Sequence, residues 1–357
     1  MEFGIQFFPA VGPETTPAHQ YFDEALRLTE RAETLGYTNV RTVEHYFHPY
    51  GGYSPNPLIF LAAAAARTTT MRLVTGAVLP TFNHPLKLAG EIGMLDAISG
   101  GRAEIGFARA FLPHEFQRFE VSLDESRARF DEGIALVDRL LSEEDVAFEG
   151  RFHRFPVTTS LPRPTQRPRP PFWVAALATE SSFVNAGLQG HSLMAIPLAG
   201  GKMASLLASY RDAWRSAGHE GDGRVMLAFH MLCHEDAATA RELACERVNR
   251  YLASLVDAAS DWISGSSSDD YPGYDAIIRG LKSDTFETQL EQGAVWVGDP
   301  DSIADQIAAY SEEVGGFEIG SMQINFSDLP YDDAARSMEL FGREVLPRFG
   351  ALAATAP

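Results

Sequence analysis

The feature that most narrows the fold of this chain is an alternation. Eight short apolar runs are each followed by a stretch with helical periodicity. The runs lie at residues 4–8, 39–43, 72–76, 103–107, 172–176, 192–196, 225–230 and 319–325. Over residues 18–35, Phe22, Ala25, Leu26, Leu28 and Ala32 fall largely on one side of a helix. Over 85–98, Leu88, Ile92 and Leu95 share a face. Strands alternating with amphipathic helices define a parallel α/β architecture, because each crossover must bury a helix on the sheet. Eight such units in 357 residues predict one closed (β/α)8 TIM barrel spanning 1–357. An open doubly wound sheet is the alternative.

Two stretches break the rhythm. After a helix at 237–256 comes a segment rich in Ser, Gly, Asp and Tyr, residues 263–293, with the turn-forming core "SGSSSDDYPGY". An insertion of this length after strand seven is expected to be a lid over the barrel mouth, ordered by ligand. It also carries Trp262, Tyr271, Tyr274, Ile277, Ile278, Leu281 and Phe286 at or near it, too apolar a set for a solvated tail. The plainer alternative is a fixed loop with a short helix near 274–281. The second stretch, 150–171, is proline-rich ("LPRPTQRPRPPF") and reads as an ordered connector into strand five.

A net charge of −19 argues against nucleic acid, whose phosphates would be repelled. Cys233 and Cys245 have neither metal nor redox spacing and fit a reducing compartment. The first residues, "MEFGIQFF", lack the basic region and long apolar run of a signal peptide. The apolar run 58–66 is too short to span a membrane. A cytoplasmic enzyme without a membrane or nucleic-acid partner is the expectation.

In a parallel barrel the residues just past each strand face the active-site mouth. After strand two stands "VEHYFHPYGGYSPNP", where His45 is the candidate acid/base, since histidine titrates near neutrality. Satisfaction of His45 by loop hydrogen bonds is the alternative. His45 and His48 suggest a metal, but no third and fourth ligand stands nearby in sequence, and none is expected. After strand four, Arg109 offers a planar fork of donors for a phosphate or carboxylate; an ion pair at the strand end is the alternative. Asp124 is a candidate N-cap in "LDESRARF", and Arg127 in the first helical turn is badly placed for the helix dipole unless an anion faces it. After strand five, Thr179 and Ser182 open a helix whose free N–H groups and hydroxyls suit an anion, or serve plain capping. Two arginines and a hydroxyl-rich helix start at one mouth suggest a bound phosphate. No dinucleotide, ATP-loop or nucleophile-elbow motif is present.

In this order, "VEHYF", "LDAISGGRAEIGFAR", "DESRARF" and "VGDPDSIADQI" followed by "GGFE" resemble the flavin-dependent monooxygenases of the bacterial luciferase family, over about residues 3–349. The resemblance implies a (β/α)8 barrel with an insertion after strand seven. It implies that His45 takes part in oxygenation chemistry, that Arg109 and Arg127 bind flavin phosphate, and that Thr179 and Ser182 stand at the phosphate-binding helix start. It further implies a non-proline cis peptide within Thr75-Gly76-Ala77, beneath the flavin. The chain departs from luciferase where Tyr46 replaces a second histidine and Ala108 a cysteine close to the flavin, which argues against light emission from a long-chain aldehyde. Gly76, Ala77 and Ala108 are therefore assigned to the cofactor side; Phe8, Phe47, Phe111 and Trp173 are candidates for the pocket wall, with burial in the core as the alternative for each.

The expected function is a two-component monooxygenase. A separate flavin reductase supplies reduced FMN (FMNH2), and oxygen is transferred to a small organic substrate. A deazaflavin-dependent hydride-transfer oxidoreductase of the same fold and a non-catalytic flavin-binding protein are the alternatives. Homodimers are common in the family, and one is expected here.

Overall fold

Parallel pairing of the strands generates the molecule. The computed structural model describes residues 1–197 and 201–350. Its strands are β1 (Glu2–Phe7), β2 (Asn39–Thr42), β3 (Arg72–Val78), β4 (Ala103–Phe107), β5 (Val146–Glu149) and β6 (Arg154–Thr158). They continue with β7 (Phe172–Ala175), β8 (Ser192–Ala195), β9 (Val225–Cys233), β10 (Val295–Gly298) and β11 (Ile319–Gln323). The order β1-β2-β3-β4-β7-β8-β9-β11 closes on itself, because β11 pairs in parallel with β1 from Glu2↔Ile319 to Gln6↔Gln323. This is the eight-stranded parallel barrel expected from the alternation, and every run read as a strand falls on one of its members.

Period-two alternation decides which side chains go where. Phe3, Ile5 and Phe7 of β1 join the principal core between barrel and helices. Inside the barrel, Val74, Trp173, Met194, Met226 and Ile319 form a separate apolar plug. Above it the interior turns polar, with Gln6, Arg41, Ser321 and Gln323 all buried. The helices Ala18–Thr34, Pro85–Ser99 and Ala237–Ala258 lie within two residues of the expected bounds.

Three strands escaped the sequence reading, β10 and the pair β5 and β6. The run 295–298 is four residues long and follows a turn-rich segment, so periodicity has little to work on. It pairs with the C-terminal half of β9, His230–Cys233, beyond the barrel's own pairings. The antiparallel hairpin β5–β6 extends into the proline-rich stretch, and Pro156 sits within β6. Proline is tolerated there because a two-stranded ribbon has free edges. The rest of that stretch is an ordered connector: Arg163 donates to the carbonyls of Leu140 and Leu141, both at 2.7 Å, and Gln166 holds Asp96. The capping assignment also changes. Ser122, not Asp124, caps the short 3-10 turn Leu123–Glu125, which leads into the helix Ser126–Ser142.

The insertion after the helix Ala237–Ala258 folds into three short helices, Asp261–Ser264, Tyr274–Leu281 and Phe286–Glu291. Trp262, Tyr271, Tyr274 and Ile278 are buried against Phe8, Val43, Tyr50, Leu79 and Phe116 in a second apolar cluster. This cluster lies at the C-terminal mouth, above the plug. Its aromatic contacts explain why so polar a stretch is docked: Trp262 Nε1 donates to the Phe111 carbonyl at 2.7 Å, and the Tyr271 hydroxyl to that of Ala110 at 2.8 Å.

Candidate active site

A cavity opens at the C-terminal ends of the strands. Its lining brings together His45, Gly76, Ala77, Ala108, Arg109, Thr179 and Ser182, seven of the eight residues singled out in the sequence. Gln6, Arg41, Glu44, Tyr251, Tyr274 and Ile278 line it as well. Arg127 stands outside the lining.

His45 lies three residues beyond the end of β2, buried between the rings of Phe8, Tyr50 and Phe111 at centroid distances of 5.5, 5.5 and 6.1 Å. Gly51 closes the loop behind it. With φ 81°, a Cβ there would come within 2.7 Å of His45 Cδ2, so only glycine allows both the turn and the approach. His45 Nδ1 is 3.1 Å from Glu115 Oε1, which also accepts the backbone N–H of Tyr46 at 2.9 Å. Glu115 is wholly buried, and its Oε2 has no partner. An acceptor-only carboxylate on Nδ1 selects the Nδ1–H tautomer and leaves the Nε2 lone pair for the cavity. Glu115 escaped the sequence reading, because its partner lies 70 residues away in sequence.

Glu44 is the second buried carboxyl of the mouth. Its Oε1 accepts from the Tyr46 hydroxyl at 2.5 Å and from Asn83 Nδ2 at 2.8 Å, and its Oε2 accepts from Leu79 N at 3.1 Å. Burial nevertheless outweighs these donors and pushes its pKa up to about 7.

Arg109 and Arg127 form no salt bridge among the described residues, so a strand-end ion pair does not account for Arg109, while Arg127 acts on the nearby Asp131 carboxyl. Instead, the insertion covers them. Arg109 Nη1 donates to the Asp270 carbonyl at 2.5 Å, and its guanidinium lies 4.3 Å from the Tyr271 ring centroid. The Asp270 carboxylate sits on the start of the helix Ser126–Ser142, accepting from Ser126 Oγ at 3.1 Å and Arg127 N at 3.0 Å. This carboxylate meets the backbone N–H of Arg127 at the helix start, not its guanidinium. Both arginines also act on Asp131, holding down a carboxyl that burial raises.

Thr179 is the N-cap of the helix Glu180–Leu188 by position, but its side chain makes no capping bond. Among the described residues, neither the Thr179 nor the Ser182 hydroxyl is hydrogen-bonded, so plain capping does not account for them. The peptide Gly76–Ala77 is cis, within the tripeptide expected to carry it.

Other candidates resolve as structural. Phe47 is 56% exposed and lies off the cavity, as does Trp173, which is in the plug with Nε1 donating to Glu104 at 2.7 Å. Phe8 and Phe111 do line the cavity. His48 is satisfied by Tyr50 N and Asp257. Among the described residues, no cluster of three or more metal-ligating side chains occurs, and no helix is long and apolar enough to cross a membrane.

The chain belongs to the luciferase-like monooxygenases: the model of that family matches residues 1–316. Membership makes it an oxidoreductase. It is similar to the oxygenase component of flavin-dependent trigonelline monooxygenase from Acinetobacter baylyi, 29% identical over 92% of this chain and 90% of that one. An F420-dependent glucose-6-phosphate dehydrogenase from Intrasporangium calvum is 26% identical over 89% and 92% of the two chains. Among solved structures, monooxygenase RslO1 from Streptomyces bottropensis superposes with a TM-score of 0.88 at 43% identity, covering 98% of this chain and 100% of that one. The FMN complex of the 3,6-diketocamphane monooxygenase of Pseudomonas putida shares the fold at a TM-score of 0.81 and 23% identity, with 98% of each chain covered.

Glu44 generates a pH prediction. Its folded pKa lies above the unfolded value of about 4.3, so between those values the folded state binds more protons and stability falls as pH rises. From pH 4.5 to 7 the wild type should lose up to about 3 kcal/mol of unfolding free energy relative to Glu44→Gln, which does not titrate. Denaturant titrations of both proteins across that window check it; parallel pH profiles would contradict it.

Proposed function

We propose that this chain is the oxygenase component of a two-component monooxygenase, taking reduced FMN from a separate flavin reductase and oxygenating a small organic substrate. The observation that carries the reading is the His45–Glu115 pair, aimed into a cavity whose rim carries the Arg109 guanidinium, without a carboxylate partner, and the hydroxyls of Thr179 and Ser182. The A. baylyi relative, named flavin-dependent and an oxygenase component, supports both the cofactor and the reductase. The P. putida structure binds FMN on the same fold.

The residues present fit that cofactor. Arg109, with Arg127 beside it, and the free hydroxyls of Thr179 and Ser182 would hold the phosphate, through charge and uncapped helix N–H groups. Gly76, Ala77 and Ala108 leave room for a flat ring system. When bound, reduced FMN supplies the electrons that activate dioxygen. His45 Nε2 moves the proton to or from the reacting oxygen, with Glu115 fixing the ring and balancing the charge of the protonated form. Apolar Phe8, Leu79, Ile278 and Leu281 keep water from the reacting centre.

The second reading is hydride transfer with a deazaflavin, favoured by the F420-dependent relative. Turnover separates the two. Product formed from reduced FMN and dioxygen with ¹⁸O incorporated supports the oxygenase; anaerobic turnover with reduced deazaflavin replaces it. His45→Ala should retain flavin affinity while product formation falls ~10²-fold or more. Unchanged product yield would make His45 structural.

Arg109→Ala should weaken reduced FMN by about 1.5–3 kcal/mol, the range for a hydrogen bond to a charged group. Riboflavin, which has no phosphate, should be nearly indifferent. Equal losses for both ligands would remove Arg109 from the phosphate site.

The insertion 263–293 acts as a lid in this reading, because Asp270 and Tyr271 lie on Arg109 and must yield for a phosphate to take its donors. Limited proteolysis should cut between residues 265 and 284 in the flavin-free protein and slow markedly with reduced FMN under anaerobic conditions. Equal resistance in both states would mean a fixed loop.

A further inference from the structure

The floor of the cavity holds a cation that none of these roles uses. Arg41 stands at an inward position of β2, is 7% exposed and lines the cavity. Nη1 donates to Gln6 Oε1 at 3.0 Å and Nη2 to the Gly76 carbonyl at 3.1 Å, while Nε is buried without a partner. The side chain fills the space left by a missing Cβ. An atom built there on Gly76 would meet Arg41 Nε at 1.8 Å and Cγ and Cδ at 2.5 Å. Arginine at 41 and glycine at 76 are thus one arrangement, placing a guanidinium against the Gly76–Ala77 peptide.

No described carboxylate forms an ion pair with Arg41. The two acids of the mouth are engaged elsewhere, Glu44 by Tyr46, Asn83 and Leu79, and Glu115 by His45 and the Tyr46 N–H. Gln6 and the Gly76 carbonyl are neutral. Burial draws the guanidinium down to about 10, which leaves it charged at neutral pH. A buried charge without a counter-ion is costly, and neutral acceptors offset only part of that cost. A residue serving only to fill the barrel would be aliphatic, like Val74, Met226 and Ile319 in the plug. Beside Arg41 the Tyr251 hydroxyl also lines the cavity, bonded to the Tyr50 hydroxyl at 3.3 Å. An oxyanion reaching the floor meets both a cation and a phenolic donor.

We propose that Arg41 is an anion receptor at the floor of the cavity, taking a planar, delocalised oxyanion of the carboxylate, phenolate or enolate type. Two molecules carry that chemistry: an acidic substrate, and reduced flavin, whose pyrimidine ring is a delocalised anion at neutral pH. The second source rests on the function proposed above; the first does not.

Arg41→Met, an uncharged chain of similar reach, tests the receptor with two matched pairs of probes. Reduced and oxidised FMN are titrated anaerobically, and benzoate and benzamide by calorimetry, against both wild type and variant. The anionic member of one pair should bind about tenfold or more weaker to the variant, the scale of a lost charge-assisted hydrogen bond, while its neutral partner changes by less than about twofold. Selective loss of reduced FMN assigns the anion to the cofactor; selective loss of benzoate assigns it to the substrate. Equal change, or none, across both pairs in a variant with the wild-type melting temperature overturns the proposal. Should Arg41→Met fail to fold, the wild type decides. The receptor predicts that bound reduced FMN keeps the ultraviolet spectrum of its anion at a pH where free reduced FMN is protonated, or that benzoate binds and benzamide does not. Neither result in the wild type overturns it. A wild type that takes benzoate but neither form of FMN removes the function proposed above and leaves the receptor standing.

Discussion

The pairing of β11 with β1 is the contact on which the rest of the molecule depends. It runs over five residue pairs, joins residues more than three hundred apart in sequence, and turns a row of parallel strands into a ring. Closure removes both sheet edges, and it sets all eight strand ends around one mouth. His45 after β2, Arg109 after β4 and Thr179 after β7 are distant in the chain, yet they line one cavity because their strands are ring neighbours or near neighbours. The apolar plug of Trp173, Met194 and Met226 blocks the ring below, so the cavity has a floor rather than a channel.

Within that mouth, polar groups are arranged by what is allowed to stay unsatisfied. Glu115 is buried with one oxygen committed to His45 and Tyr46, and the other to nothing. Arg41 leaves a nitrogen unpaired, and Thr179 caps a helix by position without using its hydroxyl. A protein selected for stability alone would pair or exclude such groups. At the other end of the barrel the buried carboxyl, Glu104, is matched by Arg72, Arg224 and Trp173.

The sequence was most legible where periodicity is local. All eight barrel strands and the helices Ala18–Thr34 and Pro85–Ser99 follow from apolar spacing; His45, Arg109, Thr179 and Ser182 follow from their positions beyond a strand, whereas Gly76, Ala77 and Ala108 follow only from the family resemblance. What stayed hidden depends on partners far apart in the chain. Glu115 looks like an ordinary helical glutamate until the fold brings it to His45. Arg41 looks like a surface residue in "NVRTV" until ring closure shows which face is inward. The strand Val295–Gly298 is too short for a period, and Pro156 masks a ribbon whose free edge tolerates it. Phe47 and Trp173 show the converse limit: an aromatic residue near a strand suits pocket wall or core alike in sequence, and the fold turns Phe47 to solvent and Trp173 into the barrel plug.

One consequence of the insertion concerns how such an enzyme can diverge. The same thirty-odd residues supply Tyr274, Ile278 and Leu281 to the cavity wall and lay Asp270 and Tyr271 on Arg109. Arg109 is gripped through a main-chain carbonyl, so the path of the backbone, not the identity of residue 270, sets that contact. Point changes at 274, 278 or 281 can therefore reshape the wall while that grip persists. A chimera that exchanges the whole segment replaces both at once, so the two properties are separable by point mutation but inherited together by recombination.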